Sequence, residues 1–229
     1  MTHLHIALWG VLPYLSLTVL IAGTAWRYRY DRFGFTTRSS QLYESRLLRV
    51  GGPLFHYALF LVIGGHVMGL LVPEWITERL RVSETAYHTV ALAMGGTAGL
   101  AAAGGLGVLL WRRVRVPAVR RATSRSDRLV LPLLTAVLLA GLTATASSVT
   151  NPYDYRLGVS VWFRSLFELD PDVPAMAHAP LEYQVHALLA MVLFALWPFS
   201  RLVHAFAAPV GYLFRPYIVY RSRARGAGM

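Results

Sequence analysis

The chain of 229 residues contains no cysteine. Without thiolates it cannot form a disulfide, a thiolate zinc site or a cysteine-bound iron–sulfur cluster of its own. Lysine is also absent, so all 22 basic residues are arginine. Histidine is therefore the strong nitrogen ligand that remains for a transition metal, and the chain has eight histidines.

Charge is scarce as well. Only 14% of the residues are charged, 55% are hydrophobic, and the mean hydropathy is positive. This composition predicts an integral membrane protein. The formal net charge of +11 would suggest a nucleic-acid partner in a soluble chain, but here the arginines follow the ends of apolar runs, so we expect no nucleic-acid binding.

Five apolar runs are long enough to cross a hydrocarbon core of about 30 Å, which takes about 20 helical residues. They cover roughly 4–26, 53–72, 86–111, 129–148 and 182–208. We therefore predict an all-α integral membrane protein with five transmembrane helices in a single membrane domain, 1–229. No basic segment precedes the first run, so we expect a retained helix and not a signal peptide.

The arginines predict how this bundle is oriented. They concentrate after the first and third runs and in the C-terminal tail, whereas the loops after the second and fourth runs are mixed or acidic. By the positive-inside rule, the N-terminus lies outside and the C-terminus is cytoplasmic. The basic residues concerned are Arg27, Arg29, Arg32, Arg38, Arg46, Arg49, Arg112, Arg113, Arg115, Arg120, Arg121, Arg125, Arg128, Arg215, Arg221, Arg223 and Arg225. We expect most of them to set topology and contact lipid head groups.

Four histidines lie in or at the ends of the second and fifth runs, where ionisable side chains are rare and usually functional. His56 lies near the inner start of the second run, and His66 lies farther out. The fifth run crosses in the opposite direction, which puts His186 near the outer side and His204 near the inner side. Depth therefore matches His66 with His186, and His56 with His204.

The fifth run also predicts a shared face. Eighteen residues make five whole turns of a continuous α-helix, so His186 and His204 would point the same way. Pro198 interrupts this run and predicts a kink. Beside His66, the small residues Gly64, Gly65 and Gly69 would let a flat macrocycle approach the helix closely. In the third run, the Gly95–Gly99 spacing is typical of helix–helix packing.

Two histidine pairs without cysteine suit two bis-histidine haems. Because two imidazoles fill both axial positions, such haems transfer electrons and do not bind a substrate. The simpler alternative is that each histidine only makes a hydrogen bond between helices or lies at the wet interface of the membrane. The other four, His3, His5, His88 and His178, fall at outer ends or in loops, and we expect them to be interfacial.

Several short segments resemble the gamma subunit of respiratory nitrate reductase, and the likeness covers nearly the whole chain. The string from Pro198 to His204 is the most specific of them. The segments are Ser39-Ser40-Gln41, Leu54-Phe55-His56, Gly65-His66, Pro73-Glu74-Trp75, Gly95-Gly96, Pro198-Phe199-Ser200-Arg201-Leu202-Val203-His204, Pro209-Val210 and Tyr212-Leu213.

The resemblance implies a dihaem cytochrome b that anchors a cytoplasmic complex in the cell membrane of a prokaryote. Its partners would be an Fe–S beta subunit and a molybdenum-containing alpha subunit that reduces nitrate. His56 and His204 would bind the inner haem iron, and His66 and His186 the outer one. Quinol, either menaquinol or ubiquinol, would be oxidised near the outer haem, and its electrons would pass inward through two b haems.

The quinol site is the part of the chain that departs from the family. Some members have a lysine near the outer start of the third run that is linked to quinol, whereas this chain has Thr85, Ala86, Tyr87 and His88 there. Glu84, Tyr87 and His88 lie where they could bond a quinol hydroxyl, but we expect plain interfacial roles, and no catalytic residue is assigned.

Two other functions fit the same pattern. One is a similar dihaem cytochrome b that serves a different soluble reductase, in heterodisulfide or sulfur metabolism. The other is a haem-free membrane anchor, whose basic inner face recruits a partner electrostatically.

Overall fold

A computed structural model describes residues 2–31, 40–150 and 153–206. Helices dominate these residues, and none of them forms a strand. Several positions used in the sequence argument lie outside the described residues. They are Arg32, Arg38, Ser39, the end of the fifth run at 207–208, Pro209, Val210, Tyr212, Leu213, Arg215, Arg221, Arg223 and Arg225.

Five helices are long and apolar enough to cross a membrane, as predicted, and the all-helical fold class is confirmed. We number them α1 to α5. Their bounds are His3–Tyr30, Arg46–Leu71, Glu84–Arg115, Arg125–Ser147 and Leu181–Phe199.

Polar caps extend two of the helices beyond their apolar runs. The Ser83 hydroxyl accepts the Ala86 N–H and starts α3. At the start of α4, Ser124 and Asp127 form a reciprocal capping box. These side chains satisfy amide groups that a helix end leaves unpaired, so each helix begins earlier than its hydrophobic segment.

Glycines allow the central helices to pack closely. A Cβ on Gly105 of α3 would lie 2.5 Å from the backbone nitrogen of Phe55 on α2, and a Cβ on Gly51 would lie 2.9 Å from Val108. Gly99 packs against Leu142 of α4. Membrane helices associate through such contacts because lipid offers no hydrophobic driving force. The resulting core contains Phe55, Ala58, Ala102, Leu106, Val130, Leu134, Leu138 and Leu193.

A second core forms where the connection between α4 and α5 folds over one end of the bundle. The short helices Val159–Ser165 and Val173–Ala177 lie in this connection. Trp162 packs edge-on against Trp9 of α1 and donates its Nε1–H to the Trp9 carbonyl at 2.8 Å. This connection packs around α1 and α5 as part of the membrane domain.

The last turn of α2, Val67–Leu71, is a π-helix that begins directly after His66. Two of its carbonyl groups accept hydrogen bonds from side chains of the short helix Val159–Ser165. Ser160 donates to the Gly69 carbonyl at 2.7 Å, and Arg164 donates to the Leu70 carbonyl at 3.2 Å. Single π-helical turns are often found at functional sites.

The α-helical part of α5 ends at Leu196 and is followed by the 3₁₀ turns Trp197–Phe199 and Arg201–Ala205. Ser200 between the two turns has extended backbone angles. The prediction that His186 and His204 share one face of a continuous helix is therefore wrong. Pro198 lacks an N–H to continue the helical ladder, so the chain reaches His204 by a different backbone path.

Candidate functional site

The four membrane histidines form two pairs, in which His66 and His56 of α2 face His186 of α5 and His204 of the turn Arg201–Ala205. The ring centroids of His66 and His186 are 5.8 Å apart, and those of His56 and His204 are 6.0 Å apart. We call these the His66 pair and the His56 pair, and we name the two ends of the bundle after them. They are the two pairs that the depth argument matched.

The backbone fixes the same nitrogen on each ring. Nδ1 of His56 lies 2.8 Å from the Gly52 carbonyl oxygen, and Nδ1 of His66 lies 2.8 Å from the Val62 carbonyl oxygen. Nδ1 of His186 lies 3.0 Å from the Val137 carbonyl oxygen, and Nδ1 of His204 lies 2.7 Å from the Arg201 carbonyl oxygen. A carbonyl can only accept, so Nδ1 carries the proton, and in the neutral imidazole Nε2 then keeps a free lone pair.

These distances suit two axial ligands of one metal ion. Two imidazoles bound through Nε2 to opposite sides of a metal place their ring centroids about 6 Å apart, because each metal–nitrogen bond is about 2 Å long and about 1 Å more separates nitrogen from the centroid. No group of three or more histidine and acidic side chains within the described ranges could hold a metal ion alone. A pair therefore fits a metal that brings its other ligands with it, as haem iron does.

Open glycines lie along the helices near the pairs. A Cβ on Gly64 or Gly65 would meet nothing within 4 Å, and the same holds for Gly95 and Gly96 of α3. This leaves the unfilled helix surface that a macrocycle edge requires. Gly69 serves a different purpose from the one predicted, because its Cβ position lies 3.1 Å from the Tyr155 ring.

His186 depends on α4, which the sequence did not predict. A Cβ on Gly141 would lie 2.9 Å from Cε1 of His186, so only glycine leaves room for this ring. The Val137 carbonyl, one turn earlier on α4, accepts the Nδ1 proton of the same ring. Gly141 and Val137 lie within an apolar run and have no feature in the sequence that marks these roles.

Ion pairs hold the His56 end together. Arg112 is almost completely buried and donates to both the carboxylate of Glu44 at 2.6 Å and the hydroxyl of Ser40 at 2.8 Å. Asp127 accepts from Arg113 at 3.1 Å and lies 3.8 Å from Arg201. Burial lowers the pKa of the Arg201 guanidinium, and the nearby Asp127 carboxylate acts in the opposite direction.

The pKa of Glu44 is set by opposing effects. Desolvation acts to raise the pKa of this carboxyl, but hydrogen bonds from the Leu47 N–H and from Arg112 together outweigh it. The net result is a pKa below the ordinary value, so Glu44 stays ionised opposite Arg112.

A second buried arginine organises the His66 end. Arg156 donates to the Glu84 carboxylate at 2.7 Å and to the Thr77 hydroxyl at 2.9 Å, and its guanidinium carbon lies 3.9 Å from the centroid of the Tyr87 ring. Burial, together with a hydrogen bond to Tyr87, raises the pKa of the neighbouring Tyr155 phenol. Glu84 and Tyr87 therefore pack against Arg156, and their interfacial role stays a prediction. The signal for Arg156 was an arginine in a loop on the predicted outer side, where the positive-inside rule disfavours it.

The fold and the paired histidines define the chain as an all-helical membrane protein with two inter-helical histidine sites. Residues 5–223 match the family described as nitrate reductase gamma subunit. The chain belongs to that family, and it is a multi-pass protein of the prokaryotic plasma membrane.

Three relatives illustrate the range of similar proteins. The chain is 52% identical to the nitrate reductase-like protein NarX of Mycobacterium tuberculosis over 94% of its own length, and it spans only 33% of that relative. It is 44% identical to the nitrate reductase gamma chain of Bacillus subtilis, covering 95% of this chain and 98% of the relative. The third is an Hdr-like menaquinol oxidoreductase cytochrome b-like subunit of Archaeoglobus fulgidus, 30% identical over 71% of this chain and 48% of the relative.

Proposed function

We propose that this chain is the dihaem cytochrome b subunit of a nitrate reductase, with His56 and His204 binding one b haem and His66 and His186 binding the other. The observation that carries the proposal is the spacing of the two pairs together with the free Nε2 of each ring. Two imidazoles per iron leave no open position for nitrate or oxygen. When bound, the two haems would supply one-electron carriers across the bilayer.

The chain's own contribution is to orient these imidazoles. In each ring the Nδ1–H bond to a backbone carbonyl prevents rotation and keeps the proton away from Nε2. Such outer hydrogen bonds also make a histidine a better ligand. On α2 the carbonyls lie one turn before the ring on the same helix, and on the α5 side they belong to α4 or to the turn that carries His204.

We further propose that the His56 end faces the cytoplasm, which makes the N-terminus external. Within the described residues, arginines crowd this end of the bundle, as the positive-inside rule requires of a cytoplasmic face. They are Arg27, Arg29, Arg46, Arg49, Arg112, Arg113, Arg115, Arg120, Arg121, Arg125, Arg128 and Arg201.

This face would anchor the soluble part of the enzyme. The Bacillus subtilis relative is named a gamma chain, which supports an assembly with other nitrate reductase chains. We propose an Fe–S beta subunit and a molybdenum-containing alpha subunit as the partners. Nitrate would be reduced on the alpha subunit, and this chain would deliver electrons to the beta subunit.

Quinol, as menaquinol or ubiquinol, would be oxidised at the His66 end. The polar cluster of Glu84, Tyr87, Tyr155 and Arg156 lies there. Tyr155 packs against Gly69, which is three residues beyond His66 and so on the same side of α2. Glu84 is a carboxylate that could accept a proton as quinol loses it, and its ion pair with Arg156 holds it at this end.

The quinol proposal can be tested with the purified chain in lipid nanodiscs. A soluble menaquinol analogue added without oxygen should reduce the haem spectrum of the unmodified chain. In His66→Ala, dithionite should still reduce the remaining haem, while reduction by quinol should slow by at least about tenfold because the entry site is lost. The exposed His178 supplies the matched control, and His178→Ala should behave as the unmodified chain does. An unchanged quinol rate in His66→Ala would contradict the proposal.

The Archaeoglobus relative favours a second candidate, a menaquinol-oxidising cytochrome b that serves a heterodisulfide-type reductase. The histidine pairs would have the same role, and only the soluble partner would differ. Mild detergent purification from native membranes separates the two possibilities. Co-purified subunits with molybdenum support nitrate reductase, and iron–sulfur subunits without molybdenum support the alternative.

A further inference from the structure

We propose that Arg27 of α1 positions the haem ligand His204 by binding the backbone where α5 breaks. The role of His204 as a ligand rests on the proposed function. The position of Arg27 does not rest on the proposed function, because it follows from the contacts between α1 and the end of α5. At the sequence level Arg27 was one of many arginines expected to set topology.

The break leaves backbone carbonyls without helical partners. Pro198 has no N–H, and Ser200 is extended with φ −119° and ψ 179°, so the regular hydrogen-bond ladder stops between Trp197 and Arg201. Inside a bilayer, irregular backbone is tolerated only where protein groups satisfy its polar atoms. The carbonyl groups of this turn therefore need donors from elsewhere in the protein or from water.

Arg27 is such a donor. Its Nη1 donates to the Pro198 carbonyl at 2.6 Å and to the Ser200 carbonyl at 3.0 Å. One turn earlier on α1, a Cβ on Gly23 would lie 3.0 Å from Cβ and Cγ of Pro198. The absence of a side chain at Gly23 thus brings α1 close enough for Arg27 to reach both carbonyl groups.

The path from this contact to the imidazole is short. Buried Ser200 donates its hydroxyl to the Trp197 carbonyl at 2.9 Å and accepts the Leu202 N–H at 3.1 Å, which ties the two 3₁₀ turns together. The second turn carries His204, whose Nδ1 donates to the Arg201 carbonyl at 2.7 Å. A displacement at Ser200 would therefore rotate the turn that presents His204 to His56.

Comparison with Arg29 shows that a position near the end of α1 does not by itself explain the contact of Arg27 with the turn after α5. The two arginines are separated by one residue on the same helix. The side chain of Arg27 is 16% exposed and faces the break, whereas Arg29 is exposed. A substitution at Arg29 removes the same charge without removing the contact with α5, so it is the matched control.

The experiment compares Arg27→Ala, Arg27→Lys and Arg29→Ala in the purified full chain. The readouts are the haem-to-protein ratio, the low-spin electron paramagnetic resonance lines and the midpoint potential of each haem, with lines assigned through His56→Ala and His66→Ala. Arg27→Ala should shift or abolish the signal of the His56 pair and leave that of the His66 pair unchanged. Arg27→Lys keeps a donor cation and should shift it less, and Arg29→Ala should shift neither.

The haem of the His66 pair is an internal reference. A folded Arg27→Ala protein in which neither signal moves, or in which both move alike, would overturn the proposal. If Arg27→Ala does not fold, Gly23→Ala tests the same contact, since the added Cβ pushes Pro198 away from α1, and the same selective shift is expected. An unmodified chain without haem would refute the proposed function instead, so the two failures are distinguishable.

Discussion

In the His66 pair and the His56 pair, the histidines on α2 are held by the same kind of hydrogen bond, whereas their partners His186 and His204 are held in different ways. Both α2 histidines donate Nδ1–H to the carbonyl four residues earlier, each at 2.8 Å. His186 instead reaches across to α4, and His204 lies on a 3₁₀ turn after the break in α5. One histidine of each pair is therefore fixed by its own helix, whereas His186 is fixed by α4 and His204 by the turn that follows α5.

This difference means that the two sites can be disturbed separately. The His66 pair depends on α4 through Gly141 and Val137. The His56 pair depends on α1 through Arg27, and on the ion pair between Arg201 and Asp127. Changes on α4 and α1 should therefore affect one pair at a time.

The largest expected effect comes from Gly141→Ala. The new Cβ would lie 2.9 Å from Cε1 of His186, a separation that packed atoms do not tolerate, so the imidazole must move. We expect the haem-to-protein ratio to fall from two towards one, with the His56 pair retained. Gly107→Ala, whose Cβ would meet nothing within 4 Å, is the control and should keep both haems. A haem-to-protein ratio of two in Gly141→Ala would show that His186 does not need the space that glycine leaves at this position.

Arg156→Gln tests the stability of the His66 end. Removing a buried arginine takes away the donor that Thr77 and Glu84 share. We expect the free energy of unfolding to fall by about 2–3 kcal/mol, which is less than the roughly 3–5 kcal/mol lost on breaking a fully buried pair, because Glu84 is partly exposed. Thermal unfolding in detergent, followed by circular dichroism, measures this loss. The exposed Arg121 provides the comparison, and Arg121→Gln should change stability by less than about 0.5 kcal/mol.

Glu44 should make the stability of the His56 end depend on pH. We expect this effect to be smaller than the loss of stability in Arg156→Gln. Because its pKa is lowered in the folded chain, its contribution to stability is present above the ordinary carboxyl value and is lost as the pH falls through the folded value. The melting temperature of Glu44→Gln should lie below that of the unmodified chain by a constant amount above the ordinary carboxyl pKa, and the gap should close as the pH falls below that value. A gap that widens in acid would reverse the sign and contradict the ion pair with Arg112.

The sequence was sufficient for the bundle and for the pairing. Hydropathy predicted five spanning helices, and the order of His56, His66, His186 and His204 along two antiparallel runs predicted which rings would meet. Both follow from local patterns and from the direction in which each helix crosses the membrane. The angular argument for α5 was wrong because it assumed a continuous helix through Pro198.

The supporting residues could not be found in the same way. Arg27, Gly141 and Arg156 acquire their roles only when distant segments meet: Arg27 contacts residues 171 and 173 positions away in the chain. Nothing in the local sequence distinguishes Gly141 from the glycines that leave open surface. Such roles depend on tertiary contacts, which hydrophobic periodicity does not encode.

We propose that the two histidine pairs hold two haems independently of each other. This is tested by the haem-to-protein ratio and the reduced-minus-oxidised spectrum of the purified chain, repeated for His56→Ala, His66→Ala and the control His178→Ala. We predict two low-spin b haems in the unmodified chain and in the control, and a single different one in each of the other variants. A folded chain without haem, which would leave a bare membrane anchor, or the loss of both haems from either folded variant, would contradict the account.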